Sequence, residues 1–254
     1  MSYVDLQQAL RDWPYEPEKI SVRKILGGDG TVRLQMRVEL GILQMEVEGR
    51  PDGFRPHGCE SLLAYHRKRV AKHEQRNGTA LGFSLSRDDC RALRVEASLF
   101  YRRYVALFVL EEYAAVATDT SHSLGIFDLC RDHALETDDQ TSLEEFRPYV
   151  LMMDARARAY GAMEEGQPSS ALAHVNRGIV AIKAHLESGG VAGAFDTSEE
   201  LKILRGMAHE LSQRVPADSV LVTRKALRDA VEQERFEDAA RLRDALKHLN
   251  SPKP

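Results

Sequence analysis

From residue 59 onward the apolar residues recur every three or four positions in one segment after another, and no strictly alternating run interrupts them. That spacing gathers apolar side chains on one face of an α-helix, so most of this chain is committed to helices. The segments are CESLLAYHRKRVAKHEQR from 59 to 76, SRDDCRALRVEASLFYRRYVALFVLEEYAAVA from 86 to about 117, then 122–136, 142–164, 168–188 and 197–214. Ser86 is a suitable N-cap. Pro168 and Thr197 open the last two helices, and Glu200 stands three residues after Thr197, as in a capping box. Between these two helices Gly189, Gly190 and Gly193 break the pattern and predict a mobile loop.

Only residues 20–50 read as strands. In TVRLQMRVEL, Val32, Leu34, Met36, Val38 and Leu40 alternate with Arg33, Gln35, Arg37 and Glu39, the period of two that a half-buried strand shows. Gly27-Gly28-Asp29-Gly30 separates this run from ISVRKIL as a hairpin turn. A two-residue turn at Gly41-Ile42 explains why the apolar phase flips after Leu40. It sets Leu40 opposite Leu43, Val38 opposite Met45, Met36 opposite Val47 and Arg37 opposite Glu46. The alternative is one long strand bulged at Gly41. A Pro-Asp-Gly turn within GRPDGFRPHG then ends the meander.

The expected fold is therefore mostly α: a helical body with a small N-terminal antiparallel β meander and a C-terminal helical hairpin. The expected division is an α+β module over 1–58, the helical body over 59–215 and the hairpin over 216–254. Within the body, Ala159, Gly166, Ala171, Val175 and Gly178 fall at spacings similar to one tetratricopeptide repeat, giving a TPR-like helix pair over 155–188. No second copy at a period of 34 follows, so a plain helical hairpin is the simpler reading.

Composition narrows the function. With 43% apolar and 29% charged residues the chain has material for a real core, and its net charge of −4 argues against a general nucleic-acid coat. Cys59, Cys90 and Cys130 stand alone, without a C-x-x-C pair, which suits a reducing compartment. MSYVDLQQALRDWPYEP has no basic stretch leading into an apolar one, so no secretory signal is expected. The most apolar stretch is broken by Arg102-Arg103 and Glu111-Glu112 and does not span a bilayer. The chain is expected in the cytoplasm.

Motifs for chemistry are absent. The Gly27–Gly30 turn lacks the phosphate-loop pattern and leads into a strand. His57 with Cys59, and His66 with His73, do not assemble a ligand set at a recognised spacing. No nucleophile elbow or kinase signature occurs. Neither catalytic residues, nor a metal, nor a cofactor is expected. A basic surface is the main rival: Arg67, Lys68, Arg69, Lys72 and Arg76 crowd one helix, and Arg87, Arg91, Arg94 and Arg102 share a face of the next. Such a surface meets phosphates, although Glu74, Asp88, Asp89 and Glu96 dilute it.

The tail reads as two helices, from about Ser219 to Gln233 and from Phe236 to Leu249, with only Glu234-Arg235 at the corner. Val220, Leu227, Ala230 and Val231 line one side of the first. Phe236, Ala239, Leu242, Leu246 and Leu249 form a seam on the second. Ala239 and Ala240 allow close approach, and Phe236 is expected to plug the corner. A hairpin this short needs a surface to dock on, because isolated helices under ~12–15 residues are marginal in water.

LRDAVEQERFEDAARLRDALKHL resembles the UVR motif, the helical hairpin shared by the excision-repair proteins UvrB and UvrC and by the stress-protease proteins ClpC and McsA. The match runs through Leu227, Ala230, Phe236, Glu237, Ala239, Ala240, Leu242, Arg243, Asp244 and Leu249. The resemblance implies that these residues make a protein–protein contact. The helicase, nuclease, ATPase and zinc-binding parts of those proteins have no counterpart in this chain, and their activities do not carry over. ILGGDGTVRLQMRVELGILQMEVEGRPDG, with GCESLLAY after it, is similar to the front of bacterial proteins that end in a UVR motif. The expectation is a non-enzymatic adaptor that docks on another protein or a second copy, linked to DNA repair or stress response. The alternative is a nucleic-acid-associated repair accessory using the basic helices 59–103.

Overall fold

The computed structural model describes residues 6–189, 197–215 and 220–250. They form a mostly helical chain with a small antiparallel sheet near the front and a helical hairpin at the back. Two compact units divide it, one up to Ala157 and one from Arg158 onward.

The first unit opens with a short helix, α1 (Gln7–Leu10), and a meander in the order β1 (Val22–Leu26), β2 (Val32–Val38) and β3 (Gly41–Glu46). The glycine turn joins β1 to β2, with Gly30 at φ 78° and its N–H donating to Gly27 O at 2.9 Å. The second turn corrects the expected register. Glu39 and Leu40 form it, so Val38 faces Gly41, Leu34 faces Met45, and Glu46 faces Arg33 in place of Arg37. Leu40 is 93% exposed. Arg37 explains the placement, because its guanidinium donates to Gly41 O at 2.9 Å and to Trp13 O at 2.8 Å and so ties down the turn. The slip is even, so the inward set keeps its face, and Leu34 and Met45 are buried with β2 packed on a following helix. The Pro-Asp-Gly turn closes with Gly53 at φ 72° and its N–H on Arg50 O at 2.8 Å.

The helices of this unit are α2 (Leu62–Asn77), α3 (Arg87–Val109), α4 (Tyr113–His133), the short α5 (Thr137–Thr141) and α6 (Arg147–Glu164), which runs across the boundary into the second unit. α2 begins three residues later than the expected start at Cys59, with Ser61 as its cap, the Oγ accepting from Ala64 N at 3.0 Å. Ser86 caps α3 as expected, and Asp89 completes the capping box. Leu63, Leu85, Leu93 and Ile126 form the centre of the core, and burying a side chain of this kind contributes ~1.5–3 kcal/mol. Leu85 is also pinned through its backbone: its N–H donates to His133 O at 2.8 Å and its C=O accepts from Leu135 N at 3.2 Å.

The segment from 86 to 117 is not one helix. It breaks at Glu111, whose φ is 60°. The N–H of Glu112 donates to Leu107 O and that of Glu111 to Phe108 O, at 3.0 and 3.2 Å. These are the two bonds of a Schellman ending, built on a glutamate where glycine is usual. The helix expected from 122 accordingly begins at Tyr113.

Gly166, at φ 69°, ends α6 by the same two-bond pattern, with Gln167 N on Ala162 O and Gly166 N on Met163 O. The second unit continues with α7 (Pro168–Ser188) and α8 (Glu199–Arg214). Ala171, Val175, Gly178 and Ile182 make the buried stripe of α7, which packs against α8 and its buried Leu201, Leu204 and Leu211. Ser198 caps α8 in place of Thr197, its Oγ accepting from Leu201 N at 3.2 Å. Gly190 and Gly193 lie outside the described residues. The chain ends in α9 (Val220–Glu232) and α10 (Phe236–Asn250).

Candidate functional site

The hairpin is built around a corner without glycine. Glu234 takes the left-handed conformation at φ 56°. Arg235 N donates to Ala230 O at 2.8 Å and Glu234 N to Val231 O at 3.0 Å, so the last carbonyls of α9 are satisfied by the turn itself. Glu237 and Asp238 lie in the first turn of α10, where the helix dipole favours negative charge. Arg235 pairs with Asp238 at 2.8 Å across the same turn. α9 and α10 pack together, with Ala230 fully buried and Ala239 nearly so. Small side chains at these positions let two backbones approach closely.

Phe236 does not plug the corner; it is 69% exposed, and Val231 is 52% exposed. The reason is directional. Side chains of a helix lean toward its N-terminus, so the first residue of α10 points past the corner. The other residues of the motif divide by face. Leu227 and Leu242 are half-buried, whereas Glu237, Ala240, Arg243 and Asp244 are exposed. Arg243 makes a 3.2 Å ion pair with Asp244. Ala240 is therefore not part of the buried seam that Ala230 and Ala239 form. The Leu249 side chain lies outside the described residues.

The basic residues of α2 and α3 do not form one free cationic surface. Arg69 pairs with Asp89 at 3.2 Å and lies over the rings of Tyr65 and Phe83. Arg91 pairs with Asp88 at 3.0 Å, Arg94 with Asp139 at 2.5 Å, and Arg87 stands 3.9 Å from Asp139. Lys68 donates to Cys59 Sγ at 3.6 Å. Arg67, Lys72, Arg76 and Arg102 are exposed.

Sequence reasoning missed a polar layer inside the first unit. Glu96, counted above among the carboxylates that dilute the basic surface, is fully buried. It accepts from Leu62 N at 2.7 Å, Leu63 N at 3.0 Å and His122 Nε2 at 3.1 Å. Burial pushes its carboxyl up, but these donors together hold it below the usual glutamate range. Since an ionised carboxylate only accepts, Nε2 carries the proton in the His122 contact. Farther along α3, Arg103 is also buried and makes a bidentate pair with Asp119 of α4, at 2.8 and 2.7 Å. Phe100 separates the two pairs. His122 stacks on its ring at 3.7 Å and Arg103 lies 5.0 Å over it. The spacing of Glu96, Phe100 and Arg103 at i, i+4 and i+7, matched by Asp119 and His122 at i and i+3, was the available signal. It was hidden because Arg102-Arg103 reads as an interruption of an apolar run.

Among the described residues no helix is long and apolar enough to cross a membrane. Residues 222–251 match the family described as the UvrB/uvrC motif. That match covers the hairpin and leaves the rest of the chain unassigned. No curated protein and no solved structure matches the chain.

Proposed function

We propose that this chain is a cytoplasmic, non-enzymatic adaptor that docks on another protein through α9 and α10, in DNA repair or stress response. The observation that carries the reading is the exposure of Phe236 and Val231 at the closed end of the hairpin. The corner is held by backbone hydrogen bonds and buried alanines, so neither large side chain is needed to close it. Aromatic side chains displayed on a rigid element are the usual anchors of protein interfaces, where a few residues dominate the binding energy. The match of residues 222–251 to the UvrB/uvrC motif supports the same assignment. Exposed Glu237 beside Phe236, and Arg243 and Asp244 two turns farther along α10, give the surface polar groups, and charges at the edge of an interface tune rate and specificity.

Affinity capture with the full chain and with a chain lacking residues 216–254 tests the proposal. A partner held only by the full chain supports it, and identical partners for both chains refute it. Sedimentation of the two chains distinguishes a foreign partner from a second copy.

A further inference from the structure

The polar layer of α3 and α4 forms one wall of an open cleft of about 450 Å³ in the first unit, flanked by α2 and the loop after β3. Its size falls within the range of small-molecule sites, roughly 300–1,000 Å³. Most charges in this cleft are already engaged within the fold. Asp119 gives both oxygens to Arg103, and the third nitrogen of Arg103 donates to Glu46 O at 3.0 Å. Glu96 accepts two backbone N–H groups and His122 Nε2, with Arg50 Nη1 3.5 Å away. Both buried carboxylates are thus neutralised from within the fold.

Arg67 is different. Among the described residues its guanidinium has neither an ion-pair nor a hydrogen-bond partner. It is nevertheless placed, because it lies across Gly125 of α4. A Cβ at that glycine would stand 2.5 Å from Arg67 Nη2 and 3.4 Å from Cζ. Gly125 follows His122 by three residues, so the guanidinium and the imidazole share one stretch of the helix surface. His122 is held by its stack on Phe100 and by Glu96 at Nε2, and its Nδ1 has no partner among the described residues. A fork of guanidinium donors suits planar or tetrahedral oxyanions, and His122, whose Nε2 proton goes to Glu96, adds a donor at Nδ1 as the imidazolium. Glu60 also lines the cleft but is exposed at its rim, where solvent and salt screen it.

We propose that this cleft binds a small molecule through an oxyanion group, a carboxylate or a phosphate, gripped by Arg67 and His122. Glu96 and Phe100 act as positioning residues that fix the imidazole. The site is separate from the hairpin proposed for docking and does not depend on that reading.

The test follows the His122 ring resonances by NMR, in the full chain, during titration with inorganic phosphate and separately with acetate. Sodium chloride holds ionic strength constant and serves as the control anion. The proposal expects a saturable shift with phosphate, acetate or both; phosphate alone indicates a phosphate-bearing ligand and acetate alone a carboxylate. Arg67→Gln removes an exposed side chain and should weaken binding at least tenfold. Gly125→Ala keeps every charge but crowds the guanidinium and, at 3.0 Å, Leu63 Cδ2; with its fold checked by the same spectra, it should weaken binding as well. The absence of a saturable shift with either anion, or binding as tight in either variant as in the parent, would overturn the proposal.

Discussion

Glu96 accepts the backbone N–H of Leu62 at 2.7 Å, so the first turn of α2 is closed by a carboxylate from the middle of α3. Leu63 N adds a second bond at 3.0 Å, beside the local cap from Ser61. Helix starts are usually capped from their own flank; here the cap also joins two helices and holds His122.

Burial raises the Glu96 carboxyl, and His122 with the two N–H groups lowers it further than burial raises it. A glutamate with a depressed folded pKa stabilises the fold above its unfolded value, about 4.3, and loses that contribution as pH falls through the lower folded value. Glu96→Gln should therefore cost about 1–3 kcal/mol at neutral pH, the cost of buried donors left without an acceptor. It should also flatten the acid side of the stability profile. Urea unfolding between pH 3 and pH 7 measures both; parallel profiles would contradict this assignment.

The bidentate pair of Arg103 and Asp119 gives a second test. Asp119→Ala strands a buried guanidinium and should destabilise the protein by about 3–5 kcal/mol. Replacing both residues, as in Arg103→Met with Asp119→Leu, should restore much of that loss because no unpaired charge remains. Urea midpoints of the parent, single and double variants provide the cycle. A double variant as unstable as Asp119→Ala would show that packing, not the unpaired charge, sets the cost.

Glu111 holds a left-handed φ of 60° between α3 and α4, which for an L-residue costs roughly 1–2 kcal/mol. Glu111→Gly should recover part of this and raise the melting temperature, although glycine usually destabilises a helical protein. A lower melting temperature would show that the glutamate side chain contributes more than the strain removes.

The same residue explains what the sequence concealed. Wherever apolar period and punctuation agreed, the elements were legible: the Gly27–Gly30 turn, the helix from Pro168 to Ser188, and both arms of the tail. The break at 110–112 carries neither Gly nor Pro, so the helical period runs through it unmarked. The slip in the meander arose because alternation fixes which face a residue occupies but not its partner across the strands. Glu96 and Arg103 were misplaced because charged residues are almost never fully buried unless paired, and their partners lie on another helix. Phe236 was recognised by type and position, but not by direction.

Nucleic-acid binding by α2 and α3 would require their arginines to release counterions from a phosphate backbone, making affinity fall steeply with salt. With Arg69, Arg91 and Arg94 already paired, the protein should show no retention of duplex or single-stranded DNA even at low salt. Retention that disappears on charge reversal of Arg67, Lys68, Arg69 and Lys72 would restore the repair-accessory alternative.

The most direct measurement compares Phe236→Ala with the parent in partner capture and in thermal unfolding. Because the ring is 69% exposed, its loss should barely change folding stability, moving the melting temperature by less than ~2 °C, a shift smaller than 1 kcal/mol produces in a chain of this size. Partner capture or self-association should nevertheless collapse to the level of a chain lacking residues 216–254. Intact binding together with a melting temperature lowered by many degrees would contradict it, and would place Phe236 in the fold instead of at an interface.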